Sequence, residues 1–139
     1  MATPEERIAE LGLTLPEVVP PVAAYQPTVR SGAHVYVSGQ LPFVDGALPA
    51  TGKVGAGVSP ETAKELAAVC ALNAIAAVRA EVGDLSDVVR IVKVGGFVAS
   101  APEFTGHPGV INGASELLGE IFGPAGVHAR AAVGVASLP

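Results

Sequence analysis

The sequence predicts an α+β domain in which helices pack on one face of a mixed β-sheet. Two stretches carry apolar residues at the three-and-four spacing of a helix, and four short segments are rich in β-branched residues. The resulting order, β, β, α, β, α, β, is typical of a mixed sheet with helices on one side. With 139 residues, the chain is long enough for one domain with a substantial core.

The composition describes that core. Half of the residues are apolar and only 15% are charged, which argues against disorder. There is no Trp and there are only six Phe and Tyr together, so the core must be aliphatic. The mean hydropathy of +0.50 is high for a small monomer. Either the many Ala and Val residues account for it, or sister subunits cover apolar surface.

The N-terminal part, residues 1–23, is predicted to be a short helix followed by an extended segment. Thr3 can cap a helix over residues 3–11, and Pro4 suits its first turn. The segment "LTLPEVVPPV", residues 13–22, contains too many prolines for regular structure. We assign the whole chain, 1–139, to a single domain.

Two strands are expected next, over residues 24–30 and 34–38, joined at "SGA". A long turn-rich connection follows, and its Asp45-Gly46 pair is a hairpin signal. A helix then begins after the N-cap Ser59 and ends at Gly83. One buried face of this helix is predicted to contain Leu66, Val69, Cys70, Asn73, Ala76 and Ala77.

The second half of the chain is predicted to be strand, helix and strand. Residues 88–99 form a β-branched segment typical of a buried strand. A second main helix is expected over residues 108–121, although its three glycines oppose helix formation. The last strand begins near Arg130.

Charge and length exclude several classes of protein. The net charge is −5 and the basic residues are scattered, whereas a nucleic-acid binder needs a basic patch, so no nucleic-acid partner is expected. The longest apolar stretch has 13 residues and a membrane span needs about 20, so no membrane span is expected. A lone Cys70 in an apolar helix indicates an inert thiol in a reducing cytosol. We therefore expect a cytoplasmic protein.

Familiar catalytic motifs are missing. "GALPATGKV" resembles a phosphate-binding loop, but Gly46 and Gly52 are one residue too far apart. His34, His107 and His128 share no metal-ligand spacing, so neither a metal nor a cofactor is expected. No G-x-S-x-G elbow is present.

Four features remain as candidate site residues. Tyr25 is expected to start the first strand, Ser38-Gly39-Gln40 to close the second, Asn112 to lie in the second main helix and Arg130 to open the last strand. Each also has a structural explanation. Tyr25 is then an aromatic at the edge of the core, and Ser38 and Gly39 only turn the chain. Asn112 caps a helix, and the Arg130 side chain reaches solvent.

In combination, these features resemble the RidA (YjgF-type) family, in what looks like a divergent bacterial branch. The similar stretches are "AAYQPTVRSGAHVYVSGQLP", "ALNAIAAVRAEVGDLSDVVRIVKVGGFVAS" and "ARAAVGVASLP". Asn73 also matches an asparagine that family members carry in the first helix. The resemblance implies a chorismate-mutase-like fold and a homotrimer with ligand clefts between subunits.

The resemblance also implies an activity, the hydrolysis of 2-imino or enamine acids to 2-keto acids and ammonia. Arg130 would then hold the substrate carboxylate, because a guanidinium donates two parallel hydrogen bonds to it. Tyr25, Ser38, Gly39 and Asn112 would line the pocket, and the backbone carbonyl of Ala132 would help to hold the water.

Two differences from the family leave alternatives open. Members with deaminase activity commonly have a cysteine where this chain has Ala132. Their chains also continue past the Leu-Pro pair into a strand that bears a glutamate. Either a further segment follows Pro139, which we expect because a trimmed sheet edge is an association hazard, or this branch works without the glutamate. The alternative hypothesis is a non-catalytic small-molecule-binding or protein-interaction module of the same fold. An endoribonuclease is the least favoured hypothesis, because the charge is acidic and the basic residues are dispersed.

Overall fold

The computed structural model describes residues 1–18 and 23–139. It contains three α-helices, α1 (Pro4–Glu10), α2 (Pro60–Val82) and α3 (His107–Phe122). Six strands accompany them: β1 (Thr28–Ser31), β2 (His34–Val37), β3 (Lys53–Val54), β4 (Gly57–Val58), β5 (Lys93–Ala99) and β6 (Ala129–Val135). The predicted α+β class and the order of the main elements are confirmed.

The strands differ from the prediction in how they pair. β1 and β2 form an antiparallel hairpin, β3 and β4 a short parallel pair, and β5 and β6 a seven-residue parallel ladder. Within the described residues these are three separate two-stranded sheets, so the single mixed sheet predicted from the sequence is wrong. Periodicity within a strand reports which side is buried, but it does not report which strand lies alongside.

Most element boundaries agree with the sequence to within a few residues. The N-cap of α1 is Thr3, whose side chain forms a capping box with Glu6, and Ser59 caps α2 as expected. Asp45 and Gly46 both have positive φ and form the predicted tight turn between Val44 and Ala47. The first strand begins at residue 28 rather than 24, so Tyr25 precedes it.

Two further predictions need correction or lie beyond the described chain. The strand expected over residues 88–99 begins only at residue 93, because a short 3₁₀ helix and irregular backbone occupy residues 85–92. Of the proline-rich segment 13–22, residues 13–18 have no regular structure as expected, and residues 19–22 lie outside the described part.

The buried face of α2 is rotated from the predicted one. Leu66, Val69, Cys70 and Asn73 are half-buried, and Ala76 and Ala77 are buried as expected. The additional buried residues of α2 are Ala63, Ala67, Ala71 and Ile75. Since α2 packs on α3 and also on the β1–β2 hairpin, it buries more than one stripe, and a single-face assignment fails.

α2 and α3 approach each other closely at Gly113. A Cβ atom at this position would overlap the backbone carbonyl oxygen of Lys64 in α2. A Cβ atom at Gly109 or Gly119 of the same helix would lie in open space. The glycine that opposes helix formation at position 113 is therefore required for the close approach of the two helices.

One face of each main strand pair is uncovered in the single chain. Phe97 is opposite Val133 in the β5–β6 ladder, and their side chains are 62% and 45% exposed. Val29 is opposite Tyr36 in the hairpin, with 55% and 63% exposure. Alternate residues, such as Val98, are buried towards α3. The exposed apolar side chains thus form cross-strand pairs on the sheet faces that no helix covers.

We expect Gly113→Ala to lower the free energy of unfolding by about 1–3 kcal/mol, because the added methyl group overpacks the α2–α3 contact. Gly119→Ala, in the same helix but in open space, is the matched control. Because alanine favours the helix more than glycine does, this control should be as stable as the wild type or more stable by up to about 1 kcal/mol. Urea denaturation followed by circular dichroism measures both; equal stability of the two variants would contradict the proposed close contact.

Candidate functional site

Arg130 lies near the start of β6 and is half-buried against α3. Its Nη1 atom donates to Asn112 Oδ1 at 2.8 Å and to Ser115 Oγ at 3.2 Å. Asn112 and Ser115 are three residues apart, so they lie on the same face of the helix. The helix therefore fixes one end of the guanidinium at two points.

This guanidinium has no acidic partner in the described residues. The ion pairs there join Lys64 to Glu116 and Arg79 to Glu5, and neither involves Arg130. Charged side chains that leave water are normally paired, because desolvation is costly. A half-buried, unpaired arginine is therefore available to an anion from outside the chain.

The hydrogen bonds also determine which edge of the guanidinium is available. Nη1 carries two hydrogens, and two acceptors take them. Within the described residues, Nη2 and Nε donate to no protein atom. The Nε–Nη2 edge is thus free, and its two parallel N–H groups match a carboxylate.

Two residues that the sequence analysis did not select complete this cluster. His128 Nε2 lies 2.9 Å from Ser115 Oγ, and His128 Nδ1 lies 2.6 Å from the carbonyl oxygen of Gly126. In the sequence, His128 has no metal-ligand spacing to the other histidines, and Ser115 belongs to no recognised motif. The available signal was positional: His128 is two residues before Arg130, and Ser115 is three after Asn112.

A separate cavity of about 480 Å³ contains the other main group of predicted residues. Tyr25, Ser38 and Gly39 line it, together with Gln40 and the helix residue Asn73. Arg130, Asn112 and Ala132 do not line it. The six predicted site residues therefore fall into two groups: three at this cavity, and three where β6 packs on α3.

Hydrogen bonds organise the cavity wall. Ser38 Oγ donates to the carbonyl oxygen of Gln26 at 2.5 Å, and Gln40 Nε2 donates to the carbonyl oxygen of Ser38 at 3.1 Å. Asn73 Nδ2 donates to the carbonyl oxygens of Leu41 and Phe43, both at 3.1 Å. Asn73 thus ties the loop after β2 to α2.

The charges of the cavity do not suit an anion. Its ionisable lining residues are Glu17, Asp45 and Tyr25, and no lysine, arginine or histidine is among the described residues that line it. Ala132 lies two residues after Arg130, and its side chain packs against the core. A carboxylate-bearing ligand in the cavity would need a cation supplied from elsewhere.

Other reactive groups offer no alternative centre. Burial raises the pKa of the Cys70 thiol to about 11. A backbone hydrogen bond lowers this pKa, but its effect is smaller than that of burial. The thiolate, the reactive form, is therefore scarce near neutral pH. Among residues 1–18 and 23–139, no three His, Cys, Asp or Glu residues form a group that could hold a metal ion. No helix in these ranges is both long and apolar enough to span a membrane.

Comparisons with known proteins agree on one family. The family described as "YjgF/chorismate_mutase-like, putative endoribonuclease" matches residues 5–139. Protein TCP17 of Trypanosoma cruzi is 43% identical over 133 residues, which cover 95% of this chain and 83% of that protein.

Two crystal structures are similar over almost the whole chain. One is protein Atu1372 of Agrobacterium tumefaciens, whose function is unknown, with 48% identity and a TM-score of 0.90 over 99% of this chain and 83% of that one. The other, a "putative endoribonuclease" of Shewanella oneidensis, has 35% identity and a TM-score of 0.96 over 99% of this chain and 91% of that one. The chain therefore belongs to the YjgF/chorismate mutase-like family.

Proposed function

We propose that the protein hydrolyses 2-imino or enamine acids to 2-keto acids and ammonia, with Arg130 holding the substrate carboxylate. The observation that carries this proposal is the half-buried Arg130 guanidinium, which among residues 1–18 and 23–139 has no acidic partner and a free Nε–Nη2 edge. A planar fork with two unused donors is complementary to a carboxylate, and its partial burial strengthens the interaction.

The chemistry needs little from the protein beyond positioning. The imine carbon is already electrophilic, so a water molecule adds to it, and the resulting carbinolamine loses ammonia to give the keto acid. Holding the water and the imine in contact lowers the barrier by up to several kcal/mol. The raised pKa of the Cys70 thiol fits this scheme, because no protein nucleophile is required.

A complete site requires two copies of the chain in this proposal. The described lining of the cavity around Ser38 has hydroxyl and amide groups but no cation, and Arg130 is not part of it. The uncovered apolar pairs, Phe97 with Val133 and Val29 with Tyr36, supply surface for association. We therefore propose a homotrimer in which Arg130 of one copy faces the cavity of its neighbour.

Ser38 would act on the nitrogen side of the substrate. Its hydroxyl hydrogen is engaged by the carbonyl oxygen of Gln26, so Oγ can only accept further hydrogen bonds. It would receive an N–H of the imine or enamine, or a hydrogen of the attacking water. Tyr25, which is 52% exposed at the same cavity, would close the pocket over the substrate.

We expect Arg130→Ala to reduce kcat/KM for an enzymatically generated 2-iminobutanoate by at least about 100-fold, since it removes a charged, partly desolvated contact to the carboxylate. Arg130→Lys should recover little of this, because lysine lacks the fork. Release of ammonia and 2-ketobutyrate is the measurement.

The matched control is Arg30→Ala, which removes the same charge from an exposed position on β1. It should retain wild-type activity. Imine decay that is no faster with the wild-type protein than without it, or an active Arg130→Ala variant, would refute the deaminase proposal.

We expect activity to return when two inactive variants are assembled together, if the site is shared between copies. Gly39→Leu fills the cavity without strain, because a side chain at Gly39 has open space and an ordinary φ. Co-refolding it with Arg130→Ala should restore about a quarter of the wild-type activity, since one interface in four combines two intact halves. No recovery in an assembled mixture would show that both halves act within one copy.

A non-catalytic binding module is the second candidate. The cluster around Arg130 consists of Asn112, Ser115 and His128. In the described residues, no carboxylate is a hydrogen-bonding partner of Arg130. A carboxylate clamp with no acid among its own hydrogen-bonding partners suits binding of a keto acid without turnover. Saturable calorimetric binding of 2-ketobutyrate without imine turnover would identify this function.

Endoribonuclease activity is suggested by the description of the family and by that of one related protein. The net charge of −5 and the dispersed basic residues oppose binding to a polyanion. RNA cleavage that persists in nuclease-free preparations and disappears in Arg130→Ala would favour it over the deaminase.

A further inference from the structure

We propose that Ser115 and His128 are positioning residues for Arg130, linked to it by a hydrogen-bond chain whose direction is fixed when His128 is neutral. This inference rests on the proposed role of Arg130 as the carboxylate clamp. It adds two residues that neither the sequence motifs nor the comparisons assign.

The direction of the chain follows from its far end. His128 Nδ1 is 2.6 Å from the carbonyl oxygen of Gly126, and a carbonyl can only accept. Nδ1 must therefore carry a hydrogen. In the neutral ring, Nε2 is then a bare acceptor, 2.9 Å from Ser115 Oγ.

The next link is fixed by that assignment. The Ser115 hydroxyl must donate its single hydrogen to Nε2, so its oxygen remains free to accept. Arg130 Nη1 donates to it at 3.2 Å. The chain runs from Nη1 to Ser115, from Ser115 to His128 and from His128 to the backbone of Gly126, a buried residue.

The consequence concerns the orientation of the guanidinium. Asn112 alone would fix one N–H of Nη1 and leave the group free to tilt about that contact. The second contact, to a serine that is itself held by His128, fixes the plane and keeps the Nε–Nη2 edge directed away from α3. Precise orientation of a bidentate clamp is worth about as much as one charge-assisted hydrogen bond.

The protein offers a matched control, a second serine–histidine pair that also involves α3. His107 Nε2 lies 3.0 Å from Ser100 Oγ, a serine–histidine contact of the same kind at the other end of the β5–β6 ladder. This pair has no hydrogen bond to Arg130. Loss of His107 should therefore perturb packing to a similar extent without affecting the clamp.

The first experiment measures steady-state imine hydrolysis and competitive inhibition by 2-ketobutyrate. Ser115→Ala should raise KM and the inhibition constant by about tenfold, with kcat changed less than about twofold, because the clamp is loosened before the chemical step. Ser115→Thr, which keeps the hydroxyl, should restore both constants. His128→Gln, whose side-chain oxygen can accept from Ser115, should be less affected than His128→Ala.

His107→Ala should leave KM unchanged. Wild-type KM in Ser115→Ala and His128→Ala would overturn the positioning role, as would an equal increase in His107→Ala. If the wild-type protein neither hydrolyses the imine nor binds 2-ketobutyrate, the proposed function fails instead.

A second experiment needs no activity. Long-range ¹H–¹⁵N spectra of the imidazole rings in the wild-type protein at pH 8 report the tautomer of His128, which His128→Gln identifies by loss of its signals. The neutral ring should carry its hydrogen on Nδ1. A hydrogen on Nε2 would reverse the Ser115 contact and overturn the chain even in a fully active enzyme.

Discussion

The close approach of α2 and α3 at Gly113 is the contact on which the rest of the structure depends. Because Gly113 has no side chain, its backbone rests directly on the carbonyl of Lys64. α3 is then packed between α2 and the β5–β6 ladder, and its turn at residues 112–115 lies against β6. The glycine that weakens the helix locally thus positions the two side chains that hold Arg130.

The site residues are divided between a polar cavity and a cationic cluster, and this division has a physical logic. In the described residues the Arg130 guanidinium is held on α3 by two neutral partners, Asn112 and Ser115, so its charge remains available for a ligand. In the proposed homotrimer, the uncovered apolar pairs on the strands would be buried between copies, and the two halves of the site would be joined there.

The relatives support the fold more firmly than the reaction. Similarities of 35% and 48% identity over nearly the whole chain establish the family, whereas the descriptions of those proteins do not agree on a single activity. The deaminase proposal therefore rests on the chemistry of Arg130, on the acceptor-only hydroxyl of Ser38 and on a thiol that burial makes unreactive. In the proposed role, the free parallel donors of Arg130 would select for a carboxylate whatever step follows.

The sequence alone determined the class, the order of the main elements and most of their ends, because caps, turns and periodicity act over a few residues. Thr3, Ser59 and the Asp45-Gly46 turn were identified on that basis. Strand pairing, the buried face of α2 and the separation of Arg130 from the Ser38 cavity were decided only by the tertiary structure. So were the hydrogen bonds of Ser115 with His128 and with Arg130, since they depend on the packing of α3 against β6, two segments that no local pattern relates.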